Sequence, residues 1–138
     1  MLTIKLQFLL FNFLVLLNNT PEDYMWKNRI FILSDSQSIS ETLSPELIAE
    51  VNERKLLIYQ FDKGDLIWTN DSSKINTDSF LEKLPQPKSN QNQWVLIGLD
   101  GGIKDSGNTT PNLTDILNTI DAMPMRQSEI RRKKDGKM

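Results

Sequence analysis

The sequence predicts an α/β sandwich in which helices cover both faces of a mixed sheet. Three short apolar segments rich in β-forming residues predict buried strands: Arg29–Leu33, Leu56–Phe61 and Trp94–Leu99. Segments with apolar residues at helical spacing separate these strands, and a glycine-rich turn follows the third strand. Because helical crossovers join parallel strands and a tight glycine turn joins antiparallel ones, the sheet should contain both kinds of pairing.

Length and composition indicate one globular domain and exclude sulfur chemistry. The 138 residues are enough for one domain, and the hydrophobic content of 38% with 25% charged residues is typical of a folded protein. The sequence has no cysteine, which excludes disulfides, thiol catalysis and thiolate metal sites. It also has no histidine, the commonest general base. We therefore lean against an enzymatic role and expect no cofactor.

Residues 1–19 have the layout of a secretory signal peptide. Met1–Lys5 carries one positive charge and precedes the apolar run Leu6–Leu17. A helix of that length spans about 18 Å, short of the ~30 Å hydrocarbon core, so no transmembrane anchor is expected. This pattern predicts export to the periplasm or the exterior, with residues 20–26 as a poorly ordered lead-in. The alternative is that the run forms the first helix or strand of the domain.

Capping chemistry predicts a helix between the first two strands. Ser34–Ser40 is polar and indicates a loop after the first strand. Ser44 is a favoured N-cap residue and is followed by Pro45, which suits the first helical position. The apolar residues that follow share one helical face and predict a helix to about Arg54.

A hairpin arm and a short helix are predicted after the second strand. Asp62–Asp65 indicates a turn, from which Leu66–Thr69 can fold back on the second strand. Thr77 or Asp78 can cap a short helix that Pro85 ends.

The last third of the chain predicts a hairpin followed by helices. Asp100–Gly102 indicates a tight turn, because glycine tolerates the positive φ angles of such turns, and Ile103–Asp105 would form the antiparallel strand. Asn112 can cap the next helix. Pro124 interrupts that helix, and a basic helical segment follows to about Lys133.

The resulting order, β-α-β-(β)-α-β-β-α, is the thioredoxin arrangement, a three-layer sandwich, although the pattern also suits other small α/β sandwiches. Three segments of the sequence narrow the choice of fold: Trp26–Arg29 (WKNR), Asp100–Lys104 (DGGIK) and Ile120–Arg132, which contains Met-Pro-Met-Arg. In this order they resemble the DUF4174 family, thioredoxin- or peroxiredoxin-like domains of uncharacterised function. The resemblance places the domain at residues 27–133 and leaves 134–138 as a basic tail.

The resemblance implies the frame of a redox protein without its thiol. The family occurs in exported bacterial proteins and in secreted animal matrix proteins, which agrees with the signal segment. In a peroxiredoxin the redox nucleophile lies where the first strand meets its helix, here Ser34–Ser38. Serine has no thiolate chemistry, and the chain has no histidine to act as its base.

Basic residues inside the three segments are the candidate ligand-binding residues: Lys27, Arg29, Lys104 and Arg126. Arginine can clamp a carboxylate or a phosphate with two hydrogen bonds. The alternative is that these residues form salt bridges with Asp100 or Asp121 and lock the last helix to the sheet. The family often has an arginine shortly after the hairpin lysine, where this chain has Asp105 and Ser106.

Other features give weaker predictions. Asp35, Asp100 and Asp105 can hold a cation such as calcium if they converge at one end of the sheet, but turn aspartates usually bond their own backbone, so no metal site is predicted. Trp68 is the tryptophan most expected to be exposed as a partner anchor. The tail is basic, which suits an anionic partner or surface: Arg126, Arg131, Arg132, Lys133, Lys134 and Lys137. With an export signal and a pI near 5.1, nucleic acid is not an expected partner.

Three functions remain open from the sequence. The favoured one is a non-catalytic exported domain that binds a protein or an anionic surface. The second is a thiol-independent enzyme of the peroxiredoxin-like clan, in which the basic residues polarise an anionic substrate. The third is a structural or adhesive envelope protein.

Overall fold

The computed structural model describes residues 18–109 and 112–136. Its strands and helices follow one another as β1 Arg29–Ser34, α1 Pro45–Glu53, β2 Leu56–Asp62, β3 Asp65–Thr69, α2 Thr77–Leu81, β4 Gln93–Ile97, β5 Ile103–Gly107, α3 Leu113–Asp121 and α4 Pro124–Lys134. Short 3-10 helices cover Pro21–Tyr24 and Ile39–Thr42. The apolar run of the predicted signal peptide and the last two residues of the tail lie outside the described residues. None of the described helices has the length and hydropathy to cross a bilayer.

The strands within the described residues form one mixed sheet with the order β3-β2-β1-β4-β5. β1 and β2 are parallel, with Ile30 opposite Leu57, and the other pairs are antiparallel, with Ile30 also opposite Ile97. A helical crossover thus joins the first two strands, and a hairpin followed by helices completes the chain. This connectivity confirms the predicted thioredoxin-like arrangement.

Alternate residues of β1 face two separate apolar cores, which makes the domain a three-layer sandwich. Phe31 and Leu33 pack on one side with apolar residues of α1 and α3, including Val51. Ile30 and Ile32 pack on the other side in the cluster that contains the α2 and lead-in aromatics. This alternation follows from the two-residue period of a strand, so each face of the sheet needs its own helical cover.

The predicted caps of two helices are confirmed, and that of α2 is wrong. The Ser44 hydroxyl accepts the backbone N–H of Leu47 at 3.1 Å, and the Asn112 amide oxygen accepts that of Thr114 at 2.9 Å. In α2 the cap is Asn76, whose side-chain oxygen accepts a backbone N–H at 3.2 Å, because Asn76 has the extended backbone of a cap. Thr77, one of the predicted caps, is already inside the helix.

The expectation of a poorly ordered lead-in is wrong. Tyr24 is 8% exposed, and its hydroxyl donates to the Asp71 carboxylate, which also accepts the Tyr59 hydroxyl at 2.7 Å. Asn19 donates its backbone N–H to Lys74 at 3.0 Å and its side-chain amide to Tyr24 at 3.1 Å. Burial raises the pKa of both tyrosines, and their hydrogen bonds to Asp71 add to that rise, so both hydroxyls stay protonated as donors.

The prediction that Trp68 would be the most exposed tryptophan is wrong as well. Trp68 is half-buried and packs against the core shared by α1 and α3, because its strand turns that side of the sheet towards the helices. Its neighbour Ile67 faces the other way and is exposed. Trp26, in the turn before β1, is instead 66% exposed.

Candidate anion-binding site

A cavity of about 210 Å³ lies at the end of the sheet where β1 begins and β4 ends. We call it the Arg29 cavity. The start of β1, the turn after β4, the first residues of β5 and the start of α4 line it: Arg29, Gly98, Leu99, Asp100, Lys104, Met123, Pro124 and Met125. Residues of all three segments that resemble the family therefore meet at one place: Arg29, the glycine hairpin and the Met-Pro-Met-Arg element.

Arg29 is the buried cation of this cavity, with only 1% of its surface exposed. Its Nη1 donates to the backbone carbonyl of Arg54 at 2.9 Å and forms a longer salt bridge of 3.3 Å to Glu129. Its Nε and Nη2 are buried and have no hydrogen-bond partner among the described residues. Burial lowers the pKa of Arg29, and the Glu129 carboxylate opposes that change. A buried N–H of a charged group without an acceptor is costly, so these two nitrogens need an acceptor that the described residues do not supply.

The glycine hairpin holds Lys104 at the same cavity. The Lys104 ammonium lies 2.9 Å from the Asp100 carboxylate, which also accepts the backbone N–H of Gly102 at 2.9 Å. The bond from Lys104 lowers the pKa of Asp100. Gly98 makes this placement possible, because a Cβ there would lie 2.5 Å from Cε of Lys104. Lys104 thus reaches the cavity already paired with a carboxylate.

Arg126 lies outside the cavity lining and belongs to a network of salt bridges. It is 5% exposed and contacts Asp121 at 3.1 Å, Glu53 at 3.3 Å and Glu129 at 3.4 Å. The Arg54 guanidinium donates to both carboxylate oxygens of the same Asp121, at 2.9 and 2.8 Å. The hydrogen bond from Arg54 lowers the pKa of Asp121, so that carboxylate is charged at neutral pH. These contacts of Arg126 match the alternative prediction from the sequence, in which salt bridges hold the last helix against the rest of the domain.

The structure brings together two of the four candidate basic residues. Arg29 and Lys104 line one cavity, whereas Lys27 is exposed and is not part of the lining. The basic tail is divided in a similar way: Arg126 is buried, and Arg131, Arg132, Lys133 and Lys134 are exposed at the end of α4.

Glu129 is the residue of this site that the sequence did not reveal. It is 5% exposed and bridges the guanidinium groups of Arg29 and Arg126. Its separation from Arg29 is 100 positions, so no local pattern connects the two. The one available signal was an acid inside a basic segment, followed by Ile130 and Arg131.

At the opposite end of β1, a glutamine fills the loop Ser34–Ser38, where the family resemblance led us to expect a redox nucleophile. Gln60 is fully buried, and its side-chain amide donates to the backbone carbonyls of Asp35 at 2.9 Å and Gln37 at 2.6 Å. Its side-chain oxygen accepts the backbone N–H of Ile39 at 3.0 Å. The polar backbone of this loop is thus bonded within the protein.

The aspartates considered as cation ligands do not converge. Asp35 follows the C-terminal end of β1, Asp100 lies beyond its N-terminal end, and Asp105 is exposed on β5. Within residues 18–109 and 112–136, no group of three acidic side chains is placed to hold a metal ion. The convergence that a calcium site requires is therefore contradicted by the topology.

Fold and site together define a thioredoxin-like domain with a glutamine-filled serine loop at one end of β1 and a cavity lined by Arg29 and Lys104 at the other. The chain belongs to the family DUF4174, a domain of unknown function, which matches residues 20–129. Among solved structures it is similar to the mitochondrial 2-Cys peroxiredoxin from Plasmodium falciparum, with 11% sequence identity, coverage of 84% of this chain and 83% of that chain, and a TM-score of 0.46. No curated protein sequence matches the chain.

Proposed function

We propose that this domain is a non-catalytic binding module that holds an anionic group in the Arg29 cavity. The observation that carries the proposal is the guanidinium of Arg29, which is 1% exposed and has no acceptor for its Nε and Nη2 within the described residues. An anion that enters the cavity would supply those acceptors. Charge-assisted hydrogen bonds of this kind are about twice as strong as neutral ones, so they favour binding over an empty site.

The opposite end of the sheet supports a role without turnover. The family resemblance implies that a redox nucleophile would lie in Ser34–Ser38, and the chain has no cysteine or histidine. A serine hydroxyl without a base is a weak nucleophile. Gln60 bonds the backbone of this loop, which gives the loop a structural rather than a catalytic task.

Export is part of the proposal and is supported by the sequence of residues 1–17, a basic start followed by an apolar run. The contacts of Asn19 with Lys74 and Tyr24 place the start of the folded domain at or before Asn19. Signal cleavage at or before Asn18 would leave those contacts intact, and N-terminal sequencing of the exported protein tests this.

Anion binding is tested by calorimetric titration of the purified domain with a panel of acetate, hexanoate and inorganic phosphate. Lys104→Met should weaken the binding of whichever anion is held, and the matched control Lys134→Met, on the exposed end of α4, should leave it unchanged. If none of the anions binds, or if both variants weaken binding equally, the Arg29 cavity is not the site.

The non-catalytic part is tested separately by assays of peroxide reduction and disulfide reduction with metal-free protein. We expect no turnover above that of buffer, because no sulfur nucleophile is present. Turnover that survives Ser36→Ala and Ser38→Ala would contradict a binding role alone and point to thiol-independent chemistry.

A further inference from the structure

We infer that the anion held at Arg29 is a single carboxylate carried on a short apolar chain. This inference rests on the proposed function and names the ligand class of the same cavity. Three properties of the cavity support it: the shape of the free guanidinium edge, the balance of charge, and the apolar lining.

The free edge of Arg29 matches a carboxylate in shape. Nε and Nη2 lie side by side on one edge of the planar guanidinium, and both are without a partner among the described residues. Two parallel N–H groups on one edge form two parallel hydrogen bonds with the two oxygens of a carboxylate. The third nitrogen, Nη1, already donates to Arg54 and Glu129, so three N–H groups of Arg29 remain: one on Nε and two on Nη2. The Nε–H and one of the two on Nη2 form the fork.

The charge around the cavity favours a monoanion. Lys104 is paired with Asp100 at 2.9 Å, so the ammonium adds little net positive charge. Arg29 is paired only at 3.3 Å with Glu129, which Arg126 also binds at 3.4 Å. A phosphate dianion would bring a second negative charge towards the carboxylates of Asp100 and Glu129. A carboxylate brings one charge and leaves the balance near neutral.

The rest of the lining is apolar and adaptable. Leu99, Met123, Pro124 and Met125 form the apolar part of the lining. Methionine side chains are flexible and polarisable, and they adjust to ligands of different shape. A cavity of about 210 Å³ has room for roughly seven heavy atoms, at about 30 Å³ for each water-sized unit. Acetate would fill only part of this space, whereas an acid of five or six carbons fills it.

Two sources supply this chemistry: a free short-chain carboxylic acid, and the C-terminal carboxylate of a peptide whose last side chain is apolar. Both present one carboxylate beside an aliphatic group. Titration with hexanoate and with a tetrapeptide ending in leucine separates them, and the same peptide with an amidated C-terminus is the control for the carboxylate.

Calorimetric titration tests the ligand class directly. Each methylene that is fully buried tightens binding about fourfold, so hexanoate should bind at least tenfold more tightly than acetate. Hexanoate should also bind at least tenfold more tightly than inorganic phosphate. If the peptide acid binds more tightly than hexanoate, the source is a chain terminus; if hexanoate binds more tightly, it is a free acid. Either result supports the inference, provided that the amidated peptide does not bind.

A pair of variants at Met125 tests the location without removing Arg29. Met125 lies in the first turn of α4 and lines the cavity. Because it is only half-buried, changes there should not unfold the domain. Met125→Glu places a carboxylate of the protein at the cavity and should weaken hexanoate binding at least tenfold. Met125→Gln has the same shape without the charge and should weaken it less than threefold.

Two results would overturn the inference. Phosphate that binds as tightly as hexanoate, with the same sensitivity to Met125→Glu, would assign the cavity to phosphate. The proposed anion-binding function would then be supported, and the carboxylate as its ligand would be wrong. Equal hexanoate affinity in Met125→Glu and Met125→Gln would show that the acid binds elsewhere. Absence of binding by every anion would remove the proposed function itself.

Discussion

Glu129→Gln should destabilise the domain more than Arg29→Met, which removes one of the two arginines that Glu129 binds. Glu129 contacts both Arg29 and Arg126, and Arg126 keeps Asp121 and Glu53 when Glu129 is neutralised. Arg29, 1% exposed, has no other carboxylate within salt-bridge distance among the described residues. Removing one partner of a buried ion pair costs about 3–5 kcal/mol, and the long 3.3 Å contact favours the lower end, about 3 kcal/mol.

Arg29→Met should cost much less, on the order of 1 kcal/mol, because it removes both the buried charge and the two unpaired nitrogens. Glu129 then keeps Arg126 as its partner. Adding Arg29→Met to Glu129→Gln should therefore restore part of the stability that Glu129→Gln removes. If the two effects were independent and additive, Arg29→Met would lower the stability of the Glu129→Gln variant further instead of raising it.

Urea denaturation followed by circular dichroism measures both effects. With a slope of about 1.5 kcal/mol/M, a loss of 3 kcal/mol lowers the urea midpoint by about 2 M. Glu82→Gln, an exposed acid at the end of α2, is the control and should change stability by less than about 0.5 kcal/mol. If Glu129→Gln behaves like Glu82→Gln, or if the double variant is less stable than both single ones, the reasoning about the buried pair is wrong.

Three further predictions concern the rest of the domain. A chain that starts at Asn18 should have a higher thermal midpoint than one that starts at Thr20, because only the longer chain keeps the hydrogen bonds of Asn19; equal midpoints would show that the lead-in does not need them. Lys63→Asn should raise stability by about 0.5 kcal/mol in urea denaturation, because Lys63 has φ 49° beside Gly64 in the β2–β3 turn and asparagine tolerates that region better; a loss would contradict the turn assignment. Burial opposes ionisation of Asp71, but the hydrogen bonds from Tyr24, Tyr59 and Ser73 together outweigh it and lower the pKa of Asp71 below its usual value. The stability that Asp71 contributes is therefore present above about pH 4 and is lost as pH falls through its folded pKa, so Asp71→Asn should flatten the acid limb of urea midpoints measured from pH 7 to 3.

Local chemistry in the sequence predicted much of the fold. Ser44 and Asn112 are caps in the sequence and in the structure, since a cap depends only on neighbouring residues. The same reasoning failed at α2, where Asn76 and Thr77 are both good caps and local chemistry cannot choose between them. In the structure Asn76 has the extended backbone of a cap and donates its N–H to the distant carbonyl of Asn19 at 2.8 Å, a contact that no local pattern contains.

Contacts between distant residues were beyond the sequence. Arg29 was a candidate because of its residue type, but its partner Glu129 lies 100 positions away and its unpaired edge depends on how α4 docks. Trp68 shows the same limit, because its exposure depends on which face of the sheet a helix covers. The type of residue at the site could be predicted, and its surroundings could not.

The most direct test of a cavity that holds a carboxylate is the NMR signal of the Arg29 Nε–H during titration with hexanoate. The account predicts a large downfield shift of this proton that saturates at the same concentration as the calorimetric binding, because the proton gains a charged acceptor that it lacks in the free protein. Saturable binding that leaves the Arg29 signal unmoved would contradict the account.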